Sequence, residues 1–228
     1  MLITGGLFTS GVLLQKYVPS TTPSIASTPY FNATSENDWA GLTRSGSPAQ
    51  SGNYLVFTGN EYLLSTGIDN NTLINDDYTY EFWIRTTGSN TGKILGKLGT
   101  GGYHSSAVEL GSGLIVGYWS EPQAYQYVSP AVTRDAWQHY TVTYTTGGAL
   151  KTYYNGQLVD TTTLSTEISP RFYGIPFTQF DLFGAEGTNF GYGSALTCDF
   201  GEFRLYTRTL SGAEVLQNFQ VTRGRWGI

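Results

Sequence analysis

The chain has 228 residues, a formal net charge of −5 and only 13% charged residues. No cluster of basic residues is dense enough to hold a phosphate backbone, so the composition argues against nucleic acid as a direct partner. Aromatic residues make up 15% of the chain and glycine occupies 29 positions, which is typical of short strands joined by turns rather than of long helices. The length suits one large all-β domain with a full core.

The first 14 residues are weakly apolar, but their pattern predicts neither a signal peptide nor a membrane span. No basic residue precedes the apolar part, and glycine, serine and threonine interrupt it. The single cysteine, Cys198, has no partner for an internal disulfide, which is uncommon in a secreted chain of this length. Together these features favour synthesis in a reducing cytoplasm and no membrane partner.

Residues 1–50 differ from the rest of the chain and predict an extended arm and linker. Residues 18–29 contain three prolines among serines and threonines, which favours extended or turn structure. Two interpretations stay open here: a disordered tail, or an arm that becomes ordered on a neighbouring subunit. The second is favoured by apolar residues that precede the prolines, namely Leu7, Phe8, Val12, Leu13 and Leu14. The folded domain is expected to span residues 51–228.

Beyond residue 51, alternating apolar and polar positions predict short strands. Residues 54–64 are expected to form two strands around Gly59-Asn60, a dipeptide of the hairpin-turn type. In residues 78–85 the alternation is strict, which marks a strand with one buried face. The residues expected on one face of that strand are Tyr78, Tyr80, Phe82 and Ile84, with Thr79, Glu81, Trp83 and Arg85 on the other.

The later part of the chain continues this pattern. Asn155-Gly156 lies between β-type residues and predicts a hairpin, because a type I′ turn needs positive φ at both central positions. Short strands at regular spacing with turn signals between them indicate a β-sandwich or jelly roll. The further predicted strands are residues 93–98, 107–110, 114–119, 137–144, 180–183 and 200–206.

One helix is predicted near the C-terminus. Ser211 can act as its N-cap, and Glu214 follows at the capping-box spacing ahead of Val215, Leu216 and Phe219. The sequence therefore predicts an all-β fold that ends in a single short helix.

These motifs, in this order, resemble the concanavalin A-like, laminin G-like jelly-roll family over about residues 51–221. The resemblance implies a two-sheet antiparallel jelly-roll sandwich with an extended N-terminal arm and one short C-terminal helix. The motifs that carry it are YTYEFWIR at 78–85, ILGKLG at 94–99, WQHYTVTYTTGGALKTYYNGQLV at 137–159, FDLFGAEG at 180–187 and FGEFRLYTRTLSGAEVLQNF at 200–219.

The C-terminal sequence carries a narrower resemblance. LSGAEVLQNFQVTRGRWGI at 210–228 is similar to the tail of laminin G-like domains in bacteriophage virion proteins, which often close with such a helix and a short basic, glycine-aromatic end. This resemblance implies a tailed phage as the source of the chain.

Carboxylates are the first candidates for catalytic groups, because glucanases share this architecture. Retaining glycosidases need two carboxyl groups about 5–5.5 Å apart, and the resemblance implies that they would alternate along one strand. Asp199 and Glu202 are three residues apart, which places them on opposite faces of a regular strand. His139 matches the family's Trp-x-His strand, which implies a structural role. We therefore predict that the chain is not an enzyme and that it has no catalytic residues; a glycan hydrolase is the third-ranked alternative.

Exposed aromatic side chains are the candidates for sugar binding. Rings that stack on pyranose faces would come from an aromatic-rich stretch and a glycine-rich loop. The favoured alternative is that half of each set packs into the core while the rest contacts a protein partner, because the sandwich carries little charge. The candidate residues are Tyr118, Trp119, Tyr125, Tyr127, Phe190 and Tyr192.

Calcium is an alternative to a cofactor-free protein, because some family members bind it through loop oxygens. The candidate ligands are Asp69, Asp76, Asp77 and Glu186. Gly201 stands where the family often has Asp, so a solvated turn is the better interpretation of these acids, and no cofactor or metal is predicted.

The function predicted from sequence is that of a non-enzymatic phage virion structural protein on the exterior of the particle. Capsid decoration or cement is the first choice, and a tail or fibre component comes close behind. The chain would form a homo-oligomer and contact other virion proteins of the capsid or tail through its arm and through Arg223, Arg225 and Trp226. The alternative is a lectin-like tail or fibre adhesion module that binds host-surface glycans.

Overall fold

The computed structural model describes residues 24–26, 29, 31–33, 43–45, 48–59, 62–65, 77–87, 92–98, 104–110, 113–120, 123–145, 148–163, 180–182 and 196–228. The described part contains strands β1 to β15, one α-helix (α1) and one 3-10 helix. The strands are β1 Phe31–Ala33, β2 Thr43–Ser45, β3 Ala49–Ser51, β4 Tyr54–Thr58, β5 Tyr62–Ser65, β6 Tyr78–Thr86, β7 Gly92–Leu98, β8 His104–Leu110, β9 Gly113–Ser120, β10 Gln123–Ala131, β11 Trp137–Tyr144, β12 Ala149–Tyr154, β13 Gln157–Thr163, β14 Phe180–Leu182 and β15 Thr197–Tyr206. The helices are α1 Gly212–Thr222 and the 3-10 helix Arg223–Trp226.

The strands form two antiparallel sheets that pack as a jelly-roll sandwich, as predicted. The first sheet has the order β13-β12-β11-β6-β15-β4-β3, and β1 pairs with β15 beside this path. The second sheet has the order β10-β9-β8-β7-β14-β5-β2. The two central strands of the first sheet, β6 and β15, are nine and ten residues long, respectively. Their pairing joins an early part of the domain to its C-terminal end.

The core lies on the inner face of the first sheet. The alternation predicted for β6 is confirmed, since Tyr78, Tyr80, Phe82 and Ile84 all lie in the main apolar cluster. The expectation that only one face of β6 is buried is wrong, since Thr79, Glu81 and Trp83 on the opposite face are each 0% exposed. Their burial follows from the C-terminal helix, which covers this outer face of the sheet.

The β12–β13 hairpin forms at the predicted turn. Asn155 has φ 47° and Gly156 has φ 77°, the positive values that a type I′ turn requires. A Cβ on Gly156 would lie 3.0 Å from Cδ1 of Phe219 and 3.1 Å from Cδ1 of Leu216, so the turn also supports helix α1.

The predicted hairpin at Gly59-Asn60 is wrong, although strands flank it. β4 pairs with β3 and β15 in the first sheet, whereas β5 pairs with β2 and β14 in the second. The chain therefore crosses from one sheet to the other between β4 and β5. Local turn residues do not distinguish a hairpin from such a crossing, because the difference lies in the distant strands that each segment pairs with.

Three short strands, β1, β2 and β3, lie before or at the predicted domain boundary of residue 51. β1 pairs with β15, β2 pairs with β5, and β3 pairs with β4, so residues well before 51 belong to the sheets. Two hydrogen bonds tie an earlier segment to helix α1: Ala26 N donates to Asn218 Oδ1 at 2.7 Å, and Gln217 Nε2 donates to the Ser24 carbonyl at 2.9 Å. Strands β1, β2 and β3 can pair with the sheets because the edges of strands have unpaired backbone groups. The apolar arm residues predicted as assembly contacts, Leu7, Phe8, Val12, Leu13 and Leu14, lie outside the described residues.

The predicted C-terminal helix is confirmed in both position and cap. Ser211 Oγ accepts from Glu214 N, and the Glu214 carboxylate accepts from Ser211 N at 2.8 Å, which completes the capping box. Arg208 Nη2 donates to Glu214 Oε1 at 2.5 Å and ties the helix start to the end of β15. Among the described residues, no helix has the length and apolar character needed to cross a membrane.

Candidate functional site on the outer face of the first sheet

The outer face of the first sheet carries a buried polar network beneath helix α1. Arg204 Nη1 donates to Glu81 Oε1 at 2.5 Å, and Asn218 Nδ2 donates to Glu81 Oε2 at 2.8 Å. Asn218 Nδ2 also donates to the Tyr206 hydroxyl at 3.0 Å. Strand β6, strand β15 and helix α1 each contribute a side chain, so the network fixes the helix on the sheet.

Glu81 is the centre of this network. Nε2 of His139 lies 3.7 Å from Glu81 Oε1, and the imidazole packs between the rings of Trp83 and Phe219 at centroid distances of 4.9 and 5.7 Å. Burial by itself raises the pKa of Glu81, but the adjacent His139 and Arg204 lower it by more, and the pKa is about 2. The carboxylate is therefore ionised and held in place at neutral pH.

Asp199 and Glu202 lie on the same face of β15, contrary to the expectation from their spacing. The pairing of β15 with β6 shifts register between Phe200 and Phe203, which is a β-bulge. Such a bulge adds a residue and moves the positions after it to the other face. As a result Asp199 pairs with Arg85, and Glu202 pairs with Arg204 and Arg225, all on the outer face.

Trp226 lies directly over the bulge. A Cβ on Gly201 would lie 2.4 Å from Cη2 of Trp226, so glycine is required for the indole to reach the sheet. The indole also packs on Trp83 and Trp137 at centroid distances of 5.8 and 4.2 Å, and it is 7% exposed.

Trp226 is one of the residues predicted as assembly contacts, but its ring packs within its own domain. Arg223 and Arg225 are exposed, and their contact with a neighbouring subunit stays a prediction. Arg225 is also held within the chain by its ion pair with Glu202, and the Arg223 guanidinium lies 5.8 Å from the centre of the Phe219 ring.

Beyond the end of helix α1, four residues form what we call the aromatic–arginine cluster: Tyr54, Arg85, Trp137 and Asp199. The Arg85 guanidinium lies 5.6 Å from the centre of the Tyr54 ring and 5.3 Å from that of Trp137. Its Nε donates to Asp199 Oδ2 at 2.7 Å. The two rings meet edge to face at 5.3 Å.

The sequence placed Arg85 on the non-core face of β6 but did not point to this cluster. Tyr54 and Asp199 join it only because β4, β15, β6 and β11 are neighbours in the sheet. Strand alternation gives part of the signal, because it places Arg85 on the outer face of β6. The cross-strand register, which pairs Arg85 with Asp199 and with Trp137, is known only from the structure.

The sequence-predicted ligand residues are placed only in part. Tyr118 in β9 lies directly opposite Tyr125 in β10, whereas Trp119 lies opposite Ala124. Because successive positions of a strand alternate between faces, Trp119 lies at a position on the other face from Tyr118, Tyr125 and Tyr127. The side chains of these residues, and all of Phe190 and Tyr192, lie outside what the structure describes.

The predicted calcium ligands are also placed only in part. Asp77 is described and half-buried, whereas Asp69, Asp76 and Glu186 lie outside the described residues. Within the described part of the chain, no group of three or more His, Cys, Asp or Glu side chains is arranged to hold a metal ion. Calcium binding stays an untested alternative to the prediction of a protein without a cofactor.

The two sheets and the closing helix define an all-β jelly-roll domain of the laminin G-like kind. A family model described as the concanavalin A-like lectin/glucanases superfamily matches residues 57–216, and the chain belongs to this family. No curated protein matches the chain.

Solved structures of similar fold include receptor-binding domains of botulinum neurotoxins. The domain of mosaic serotype C/D, with tetraethylene glycol bound on its Hcn sub-domain, aligns with a TM-score of 0.66 and 13% identity over 86% of this chain and 51% of that chain. The serotype DC domain in complex with rat synaptotagmin II aligns with a TM-score of 0.66 and 15% identity over 86% and 52%. A type C structure, described by cell entry that depends on two ganglioside molecules, aligns with a TM-score of 0.61 and 14% identity over 78% and 46%.

The chain spans about half the length of these neurotoxin domains. At such identities the likeness shows the fold alone.

Proposed function

We propose that this protein is a non-enzymatic, lectin-like binding module carried on the outside of a bacteriophage particle. The pKa and the ion pairs of the carboxylates on the outer face support the proposal that the protein is not an enzyme. A general acid works best with a pKa near the operating pH, and the pKa of Glu81 is about 2. Asp199 and Glu202 are each held by guanidinium groups, which suits a structural role.

Two observations support glycans as the ligand class. The aromatic–arginine cluster combines half-buried rings with a charged pair, which is the mixture of apolar and oriented polar groups typical of small-ligand sites. Among proteins of similar fold, the type C neurotoxin is described as interacting with gangliosides during cell entry.

The binding proposal is tested with a glycan array and an assay for released reducing ends on the glycans that bind. We expect binding to a restricted set of glycans without release of reducing ends. Release of reducing ends would overturn the non-enzymatic part, and an array without any bound glycan would overturn the lectin-like part.

The setting on a phage particle is supported by the resemblance of residues 210–228 to the ends of virion proteins. In this proposal the protein is a homo-oligomer that contacts other capsid or tail proteins, with residues 1–23 as the assembly arm. Capsid decoration is the first choice because copies of a homo-oligomer that bind a repetitive lattice together gain affinity from multivalency.

The arm is tested by deleting residues 1–23, a truncation that keeps every described strand. A deletion of residues 1–50 would also remove β1, β2 and most of β3, so loss of assembly after it would have no clear cause. We expect the shorter deletion to fold, as judged by circular dichroism, but to lose oligomers in light scattering and to stop decorating added capsids. Unchanged oligomers and unchanged decoration would contradict the role of the arm.

A further inference from the structure

The aromatic–arginine cluster occupies the end of the outer face that helix α1 leaves open. Along the outer positions of β6, Glu81 and Trp83 are 0% exposed, whereas the side chain of Arg85 is 33% exposed. Tyr54 and Trp137 are half-buried on the strands beside it. Solvent therefore reaches the guanidinium and the two rings at the place where the helical cover ends.

We infer that this cluster is a binding site for uncharged sugar rings. The inference rests on the proposed lectin-like function and gives that function a place on the fold. Three features of the cluster support it: rigid rings, a donor–acceptor pair beside them, and the absence of excess charge within the cluster.

The rings are held before any ligand arrives. The Tyr54 hydroxyl accepts from Ser51 Oγ at 3.2 Å, and the Trp137 indole packs on Trp226 at a centroid distance of 4.2 Å. A ring that is already fixed loses little conformational entropy on binding, and Tyr and Trp offer large contact areas for this reason. The C–H face of a pyranose is an apolar surface that matches such rings.

The polar part of the cluster is the pair formed by Arg85 and Asp199. Arg85 Nε and Nη2 lie 2.7 and 2.5 Å from Asp199 Oδ2, and the Asp199 side chain is only 8% exposed. Because the carboxylate is nearly buried, it fixes the orientation of the exposed guanidinium. A planar guanidinium in a fixed orientation can donate to neighbouring sugar hydroxyls in a defined geometry.

Charge decides which sugars suit the cluster. The positive charge of Arg85 is compensated by Asp199, so an acidic sugar would find no unpaired cation in the cluster. The adjacent turn adds one charge of each sign, Arg134 and Asp135, and Asp135 N donates to the Thr86 carbonyl at 2.9 Å. The four charges sum to zero, which favours neutral pyranose rings over sialylated or sulfated ones.

The experiment uses the full chain on an array of neutral oligosaccharides and their sialylated or sulfated counterparts, with lactose and 3′-sialyllactose as one matched pair. The main variant is Trp137→Ala. Tyr54→Leu is the second variant, because it removes a half-exposed ring without opening the contact between Trp137 and Trp226. Leu158→Ala is the surface control, since Leu158 is 52% exposed on the edge strand β13. Trp119→Ala tests the rival position on the second sheet.

We expect neutral glycans to bind and both cluster variants to weaken that binding at least about tenfold, as removal of a central aromatic anchor does. The Leu158→Ala control should bind as the wild type does. Circular dichroism and urea unfolding identify any variant that fails to fold, and Tyr54→Leu then decides the result.

Each other result overturns the inference in a different way. Binding restricted to acidic glycans contradicts the charge argument. Neutral binding that both cluster variants retain, or that Trp119→Ala removes instead, refutes this location but leaves the lectin-like function standing. An array without any bound glycan refutes the lectin-like function and this site with it.

Discussion

The contact between Gly201 and Trp226 predicts a strong coupling between two positions 25 residues apart. A Cβ on Gly201 would lie 2.4, 2.6 and 3.0 Å from three atoms of the Trp226 ring. The ring cannot swing aside easily, because it packs on both Trp83 and Trp137. We expect Gly201→Ala to lower the free energy of unfolding by about 1–3 kcal/mol, the usual effect of forcing a methyl group into a filled core.

Trp226→Ala removes the obstacle and leaves a cavity. Since Trp226 is 7% exposed, this change alone is expected to lower the free energy of unfolding by about 3–5 kcal/mol. In the double variant the added methyl group lies in the space that the indole vacated. The double variant should therefore be less destabilised than the sum of the two single variants, by about 1–3 kcal/mol.

The assay is urea unfolding followed by circular dichroism, which does not depend on the tryptophan that is removed. Gly224→Ala is the matched control, because nothing lies within 4 Å of a Cβ at that position. We expect this control to stay within about 0.5 kcal/mol of the wild type. If Gly201→Ala behaves like Gly224→Ala, or if the two changes are additive, Trp226 does not occupy the place described here.

Three further results follow from the outer-face network and the hairpin. The pKa of Glu81 is about 2 in the folded protein against an ordinary 4.5, so its ionised form stabilises the fold above pH 4.5. As the pH falls towards 2, the free energy of unfolding should decrease by about 3 kcal/mol. Urea unfolding across this pH range should show a smaller decrease in Glu81→Gln. Asn218→Ala removes a buried donor to Glu81 and should lower the free energy of unfolding by about 1–3 kcal/mol. The control Gln220→Ala, at an exposed position of the same helix, should change it by under about 0.5 kcal/mol; equal effects would contradict the network. Gly156→Ala should destabilise more than Gly52→Ala in thermal unfolding, since both glycines have positive φ but only Gly156 lies against Phe219.

Strand alternation and turn chemistry predicted much of the fold. The alternation in β6, the Asn155-Gly156 turn and the Ser211 capping box are local patterns, and each is confirmed. They succeed because a pleat, a positive φ and a helix cap depend on residues within a few positions of one another.

The errors share a physical cause. The Gly59-Asn60 segment was misassigned, and the pairing of β1, β2 and β3 was not predicted, because strand pairing joins segments far apart in the chain. Asp199 and Glu202 were placed on opposite faces because the count of residues assumed a regular strand, and the bulge after Phe200 changes that count.

The sequence by itself determined that the chain is an all-β jelly roll with one capped helix at its end. Only the tertiary structure decided that this helix covers part of the outer face of the first sheet and that Trp226 packs within the fold. It also decided that Tyr54, Arg85, Trp137 and Asp199 meet beyond the end of the helix. Local periodicity encodes which face of a strand is apolar. The neighbours of that strand, and what covers its other face, depend on contacts between residues more than a hundred positions apart, such as those of Arg85 with Asp199 and Glu81 with Asn218.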